Sequence, residues 1–88
     1  MIYQVLSVYD RAAMAFGRPV FSNSVGAAMR SFQDECNRAE PGNDMQKHPK
    51  DFDLFHLGSF EDGSGRFDLF ESPKALAHGA QMQLKLDS

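Results

Sequence analysis

The segment between residues 22 and 43 constrains the fold most, because it carries one apolar stripe of helical period with a start signal and a stop signal. Ser22-Asn23-Ser24 can cap a first helical turn with side-chain oxygens, and Pro41-Gly42-Asn43 cannot comfortably continue a helix. Between them, apolar residues recur at three- and four-residue steps, at Val25, Met29, Phe32, Cys36 and Ala39. The spacing predicts one amphipathic helix whose apolar face packs on a sheet.

Two strands are expected before this helix. Residues 2–9 are rich in β-branched and aromatic types, 10–13 favour a turn, and 14–21 read as a returning strand. Proline cannot donate to a sheet ladder and glycine packs no side chain. The run Gly17-Arg18-Pro19 therefore predicts a kink, with the second strand bulged or at a sheet edge.

Two more strands are expected after the helix, beyond a polar loop at 44–50. They cover 52–61 and 66–71 and are joined by a glycine-containing turn at 62–65. The proline that follows favours a short helix or turn over 74–78.

These elements predict a small α+β domain of order β-β-α-β-β, with one mainly antiparallel sheet and the amphipathic helix packed on a face. The domain is expected to cover residues 1–80, with a polar C-terminal tail at 81–88.

Both faces of the predicted sheet carry apolar residues. Along the first strand, alternation puts Tyr3, Val5 and Tyr9 on one side of the sheet and Ile2, Leu6 and Val8 on the other. Along the third strand, it puts Leu54 and Phe60 on one side and Phe55 and Leu57 on the other. A sheet with one solvated face alternates apolar and polar residues. We therefore expect a second subunit, a ligand or the C-terminal segment to cover part of the second face.

Charge and cysteine content exclude several classes of protein. Nine Lys and Arg against twelve Asp and Glu give a net charge of −3, so nucleic-acid binding would need a local basic patch. The single cysteine, Cys36, forms no intramolecular disulfide and falls on the helical stripe, where a buried thiol is expected. Apolar runs are far shorter than the roughly 20 residues that cross a bilayer, and the first residues lack a signal-peptide pattern, so no membrane association is expected.

Aromatic side chains on a sheet beside cations are typical of single-stranded nucleic-acid binders, since bases stack on flat rings and phosphates need positive charge. The aromatic candidates are Tyr3, Tyr9, Phe16, Phe55, Phe60 and Phe70, and the cationic candidates are Arg11, Arg18, Lys47, Lys50, Arg66 and Lys74. The two tyrosines are favoured, because a hydroxyl prefers a wet or hydrogen-bonded edge. The alternative for each phenylalanine is packing in the core or in a dimer interface.

Residues for metal binding or catalysis are sparse. His48, Asp51, Asp53 and His56 are close in sequence. Strand geometry turns His56 away from the two aspartates, which are instead expected to cap the turn into the strand, so no metal site is expected. Gly63-Ser64-Gly65 lacks the lysine of a phosphate-binding loop. We expect no catalytic residues, no cofactor and no enzymatic activity.

Three segments resemble the small nonstructural protein of the gokushovirus branch of the Microviridae, tailless phages with circular single-stranded DNA. They are the opening Met1-Ile2-Tyr3, the central run from His48 to Phe60, and the stretch from Gly65-Arg66 to Pro73-Lys74. The resemblance implies a non-virion accessory factor of phage DNA synthesis in the host bacterial cytoplasm, commonly described as DNA-binding. Within the central run it makes Lys50 and His56 candidates for contact and Gly58 a candidate bend or bulge.

Two functions from different classes are open. The leading hypothesis is a sequence-tolerant single-stranded DNA-binding protein, expected to be a homodimer, that coats or hands over viral DNA during replication or before packaging. The other is an adaptor that binds a viral or host replication or capsid protein through the apolar second sheet face. The DNA-binding candidates are Tyr3, Tyr9, Arg11, Arg18, Lys47, Lys50, His56, Phe60, Arg66 and Lys74.

Overall fold

The predicted strands form one antiparallel sheet in the computed structural model, which describes residues 1–83. The strands are β1 (Ile2–Asp10), β2 (Ala15–Phe16), β3 (Val20–Ser22), β4 (Phe52–Glu61) and β5 (Arg66–His78). The helices are α1 (Val25–Asn37), α2 (Asp44–Lys47) and α3 (Gly79–Met82), and a 3-10 turn covers Pro49–Asp51. The strand order is β2-β1-β4-β5, with β3 also paired to β1. The α+β class and the order of the elements are confirmed, with the second predicted strand divided in two.

Helix α1 forms where the apolar stripe predicts it. The Ser24 side chain accepts a hydrogen bond from the Ala27 N–H at 3.0 Å and so caps the first turn. The helix buries Ala28, Phe32 and Cys36 against Leu6 of β1, together with Leu54 and Ala77 of the neighbouring strands. Each large apolar side chain buried here contributes about 1.5–3 kcal/mol. The helix ends at Asn37, so Ala39 of the predicted stripe is exposed beyond it.

The second predicted strand is interrupted between β2 and β3, at residues 17–19. There the Gly17 N–H still donates to the Val8 carbonyl at 2.8 Å, but the chain then leaves the ladder until Val20. Both pieces pair only with β1 and lie at an edge of the sheet. The kink and the edge position predicted from glycine and proline are confirmed.

Strand β4 carries a bulge at Gly58, which confirms the predicted bend. Val5 lies opposite Gly58 and Leu6 opposite His56, so Leu57 is an extra residue. Gly58 has φ +151°, and a Cβ there would lie 2.3 Å from the Asp68 carbonyl oxygen. The extra residue reverses the alternation along β4. The predicted placement of Phe60 on the side of Leu54 is therefore wrong.

The predicted helix or turn at 74–78 is also wrong, because β5 continues to His78. Pro73 is tolerated there for two reasons: β5 is an edge strand, and residues 70–73 bulge out between the pairs Gly58–Leu69 and His56–Lys74. Helix α3 then packs against α1 and the 3-10 turn. None of the described helices is long and apolar enough to span a bilayer. The division into a domain at 1–80 and a tail at 81–88 stays a prediction, and residues 84–88 lie outside the described residues.

Candidate nucleic-acid interface

The two faces of the sheet differ in what covers them. Leu6 and Val8 of β1 and Leu54 of β4 face α1 and belong to the core. Alternate residues along the same strands point to the opposite side. We call that side the aromatic face; it comprises Tyr3, Val5, Tyr9, Phe16, Phe21, Phe55, Leu57, Phe60, Phe67 and Leu69.

One end of the aromatic face is a cluster of three rings from three strands. Phe60 lies 4.8 Å from Phe67 and 5.5 Å from Phe21, centroid to centroid, and Phe21 lies 6.3 Å from Phe67. Tyr3 is directly opposite Phe60 in the ladder. The rings are tilted or edge-to-face, an arrangement that adds to the stabilisation from burial alone. Phe21 and Phe67 are nevertheless exposed.

The other end of the face holds a second ring cluster. Tyr9 and Phe16 lie opposite each other with centroids 4.8 Å apart, and Phe55 lies 5.3 Å from Phe16 and 6.2 Å from Tyr9. Between the two clusters, the buried Ser7 hydroxyl donates to the Gly17 carbonyl at 2.7 Å, which ties the interrupted edge to β1. The face thus presents two groups of rings along the length of β1.

Two of the predicted cations lie at the rim of this face. Arg18 is exposed in the connection between β2 and β3, next to Pro19, which lines the face, and it forms no ion pair within residues 1–83. Arg11 follows β1, and its guanidinium contacts the Asp53 carboxylate at 2.7 and 2.9 Å. His78 Nδ1 lies 2.8 Å from the other Asp53 oxygen. The predicted capping role of Asp53 is therefore wrong, because its carboxylate binds two side chains.

Three other predicted residues lie on the opposite side of the sheet. His56 Nε2 lies 2.8 Å from Gln4 Oε1, and its ring meets the Phe70 ring edge-on at 4.8 Å. Lys74 Nζ stands 4.1 Å from the centroid of Phe70, a cation–π contact. Arg66 alternates with Phe67 on β5 and so points away from the aromatic face.

The remaining two predicted cations belong to the segment before β4. Lys47 ends α2 and Lys50 lies in the 3-10 turn, both exposed. The Lys50 carbonyl accepts a hydrogen bond from Arg11 at 3.4 Å, so this turn borders the Tyr9 end of the face. The structure thus brings Tyr3, Tyr9 and Phe60 onto one face with Arg11 and Arg18 at its rim, and it places the other five candidates elsewhere.

A comparison with protein families matches residues 3–82 to the model of the family described as Phage ORF5 protein. The chain belongs to this family. The matched region includes α1, the whole aromatic face and every strand except Ile2, the first residue of β1. Among the curated proteins and the solved structures, none matches the chain. Membership of the Phage ORF5 family establishes a phage protein, as the resemblance in the sequence implied.

Three residues of the aromatic face in this Phage ORF5 protein were not among the binding candidates named from the sequence. They are Phe21, Phe67 and Leu69, all exposed. The run Arg66-Phe67-Asp68-Leu69 alternates charged and apolar residues, which is the pattern of a strand with one apolar face, and it could have identified two of them. Phe21 carried no comparable signal, because Gly17 and Pro19 interrupt the alternation of its strand.

Residues for metal or thiol chemistry are not assembled in the described chain. No group of three or more His, Cys, Asp or Glu side chains within residues 1–83 could hold a metal ion. Cys36 is 0% exposed, as the stripe predicts, and burial raises the pKa of its thiol to about 11. Because the thiolate is the nucleophile, this cysteine is suited to packing.

Proposed function

We propose that this phage protein binds single-stranded DNA on the aromatic face, as a non-enzymatic accessory factor of replication or packaging in a gokushovirus-type phage. The observation that carries the proposal is the exposure of phenylalanine rings on one face. Phe16, Phe21 and Phe67 are 44%, 53% and 54% exposed, although each contacts another ring. Clustered exposed rings are typical of a surface that a ligand covers. Bases offer such a ligand, because each presents a flat face to stack on.

The length of the face fits several nucleotides. Tyr3 and Tyr9 are six residues apart on β1, which corresponds to about 20 Å at the usual rise of a strand. Small sheet-based binders of single strands occupy about 4–16 nucleotides. We expect a site near the lower end of that range, with one base or more at each ring cluster.

The charges indicate modest affinity. Arg18 is free to contact phosphate, whereas Arg11 shares its charge with Asp53. One or two phosphate contacts give a log–log salt slope of about −0.7 to −1.4 for a single strand. The net charge of −3 opposes long-range attraction, so stacking is expected to supply most of the binding free energy.

A titration of fluorescently labelled oligothymidylate at two salt concentrations, read by anisotropy, tests the proposal. Phe21→Ala is expected to weaken binding by about 5- to 150-fold, because stacking contributes about 1–3 kcal/mol per base. The matched control is Ile2→Ala, since Ile2 is 57% exposed but points to the other side of the sheet from Tyr3. Absence of binding at low salt, or an equal loss in the control, would contradict the proposal.

A second candidate, an adaptor that binds a phage replication or capsid protein, is favoured by one observation. An open groove of about 400 Å³ on the aromatic face is lined by Val5, Pro19, Phe21, Leu57, Phe67 and Leu69, none of them charged. A protein anchor such as a leucine or a phenylalanine fits an uncharged groove, whereas DNA also needs cations. Calorimetric titration with the purified phage proteins distinguishes the two: an adaptor would bind one of them, lose that binding in Leu69→Ser and show little affinity for oligonucleotide.

A further inference from the structure

Strand β5 leaves one edge of the sheet open. It is last in the strand order, and all of residues 66–69 are exposed. An edge strand carries backbone N–H and C=O groups that another strand can pair with. Pro73 and the bulge at 70–73 make the far half of β5 unsuitable for regular pairing, so the pairing-competent stretch is Arg66–Leu69 and the turn residue before it.

The side chains on this stretch are self-complementary in charge. Arg66 and Asp68 point to one side of the sheet, and Phe67 and Leu69 point to the aromatic face. Neither Arg66 nor Asp68 forms an ion pair or a side-chain hydrogen bond within the described chain. Glu61 lies opposite Arg66, but its carboxylate accepts hydrogen bonds from the Gly63 and Ser64 amides instead, at 3.0 and 2.8 Å.

We propose that two copies of this chain associate edge to edge, β5 against β5 in antiparallel register, with the two-fold axis at Phe67. In this register Arg66 lies opposite the partner's Asp68, and Asp68 lies opposite the partner's Arg66. Phe67 lies beside the partner's Phe67. The two sheets become continuous, and the two aromatic faces join into one surface on the same side.

The charges of Arg66 and Asp68 favour this register over registers in which the two-fold axis lies at a neighbouring residue. Moving the two-fold axis to residue 66 places Arg66 opposite its own copy, and moving it to residue 68 does the same for Asp68. Like charges directly opposite each other on neighbouring strands are destabilising. An axis midway between two residues is not available, because a two-fold axis perpendicular to the sheet keeps both aromatic faces on the same side and so pairs each residue only with residues of the same face.

The association is expected to be weak. Pairing about five residues from each edge buries less than the roughly 1,200 Å² of the smaller specific interfaces. We therefore expect a dissociation constant between micromolar and millimolar. The inference does not depend on DNA binding, and it is tested on the protein alone.

Sedimentation equilibrium of charge-reversed variants tests the register. The wild-type mass is expected to rise from 9.8 kDa toward twice that value as concentration increases. Arg66→Asp and Asp68→Arg each place like charges opposite each other, so each alone is expected to stay monomeric. An equal mixture of the two restores opposite charges at both positions and is expected to associate.

The matched controls for this experiment are Arg30→Asp and Asp34→Arg on α1. Both residues are exposed and form no ion pair in the described part of the chain. These controls are expected to associate like the wild type. A wild-type chain that stays monomeric at millimolar concentration, a single reversal at β5 that still dimerises, or a mixture that stays monomeric would each overturn the proposal.

Disulfide trapping tests the position of the axis separately. Residues directly opposite in an antiparallel pair have Cα atoms about 4.5–5.5 Å apart, within the range that a disulfide spans. Phe67→Cys is therefore expected to form covalent dimers under mild oxidation. Leu69→Cys is the control, because Leu69 is equally exposed on the same face but lies opposite the partner's Gly65. Equal trapping of the two variants, or none with Phe67→Cys, would contradict the axis.

Discussion

The Arg11 guanidinium holds the Asp53 carboxylate, with Nη2 2.7 Å from Oδ2, although the two residues are 42 positions apart. The Asp53 side chain is only 6% exposed, and His78 contacts its other oxygen. One carboxylate thus connects the end of β1, the start of β4 and the end of β5. This connection lies beside the Tyr9 end of the aromatic face.

Arg11→Ala is expected to destabilise the fold, because it leaves the buried Asp53 carboxylate with His78 as its one remaining side-chain partner among the described residues. Loss of a charge-assisted hydrogen bond from a buried group costs about 1–3 kcal/mol in free energy of unfolding. Urea unfolding followed by circular dichroism measures it. Arg30→Ala on α1, where no ion pair is lost, is expected to change stability by less than about 0.5 kcal/mol. Equal stability of the two variants would show that the contact contributes nothing.

Gly58→Ala is expected to be strongly destabilising or to prevent folding, because a Cβ would lie 2.3 Å from the Asp68 carbonyl oxygen and 2.7 Å from the Leu69 Cα. Gly26→Ala is the matched control. A Cβ at Gly26 meets nothing within 4 Å, and alanine in a helix is more stable than glycine by up to about 1 kcal/mol. Thermal melting of the two variants measures the contrast, and an unchanged melting temperature for Gly58→Ala would contradict the bulge.

Cys36 is expected to be unreactive in the folded protein. Burial raises the pKa of its thiol to about 11, so very little thiolate is present at pH 8, and the side chain is covered by the core. Ellman's reagent should therefore modify it only as fast as the protein unfolds, and fully in urea. Rapid modification under native conditions would mean that α1 does not pack on the sheet as described.

Tyrosine fluorescence offers an internal probe of stacking. The chain has no tryptophan and two tyrosines, and both Tyr3 and Tyr9 lie on the aromatic face. Oligothymidylate is expected to quench their emission saturably at low salt, with N-acetyltyrosinamide as the control for absorption by DNA. Tyr3→Phe and Tyr9→Phe then assign the quenching to one ring cluster or the other. Binding without any change in emission would place the DNA away from both tyrosines.

Helix α1 and the interrupted edge strand could be predicted from the sequence, because their conformation depends mainly on residues that are close together in the chain. The stripe from Val25 to Cys36 predicts α1, and the glycine and proline at 17 and 19 predict the interrupted edge strand. The prediction was wrong at 74–78, since pairing of Ala75 with Phe55 and of Ala77 with Leu54 keeps this stretch in the sheet. Such long-range pairing overrides local preference and is not visible in a short window of sequence.

The aromatic face was only partly predictable for a related reason. Gly58 was expected to bend β4, but the number of residues in the bulge depends on the register with β1 and β5. That register moves Phe60 to the side of Phe55 and creates the cluster with Phe21 and Phe67. Tyr3 and Tyr9 were found because β1 alternates without a bulge of its own.

Aromatic-detected NMR during titration with oligothymidylate shows whether DNA binds on the aromatic face, because it reports each ring separately. If single-stranded DNA binds on the aromatic face, the Tyr3, Phe16, Phe21 and Phe67 signals are expected to shift saturably, and the shifts are expected to reverse as salt is raised. The signal of Phe32, which is buried between α1 and the sheet, should not move. Shifts confined to α1 around Arg30, or no shifts at low salt, would contradict binding of single-stranded DNA on the aromatic face.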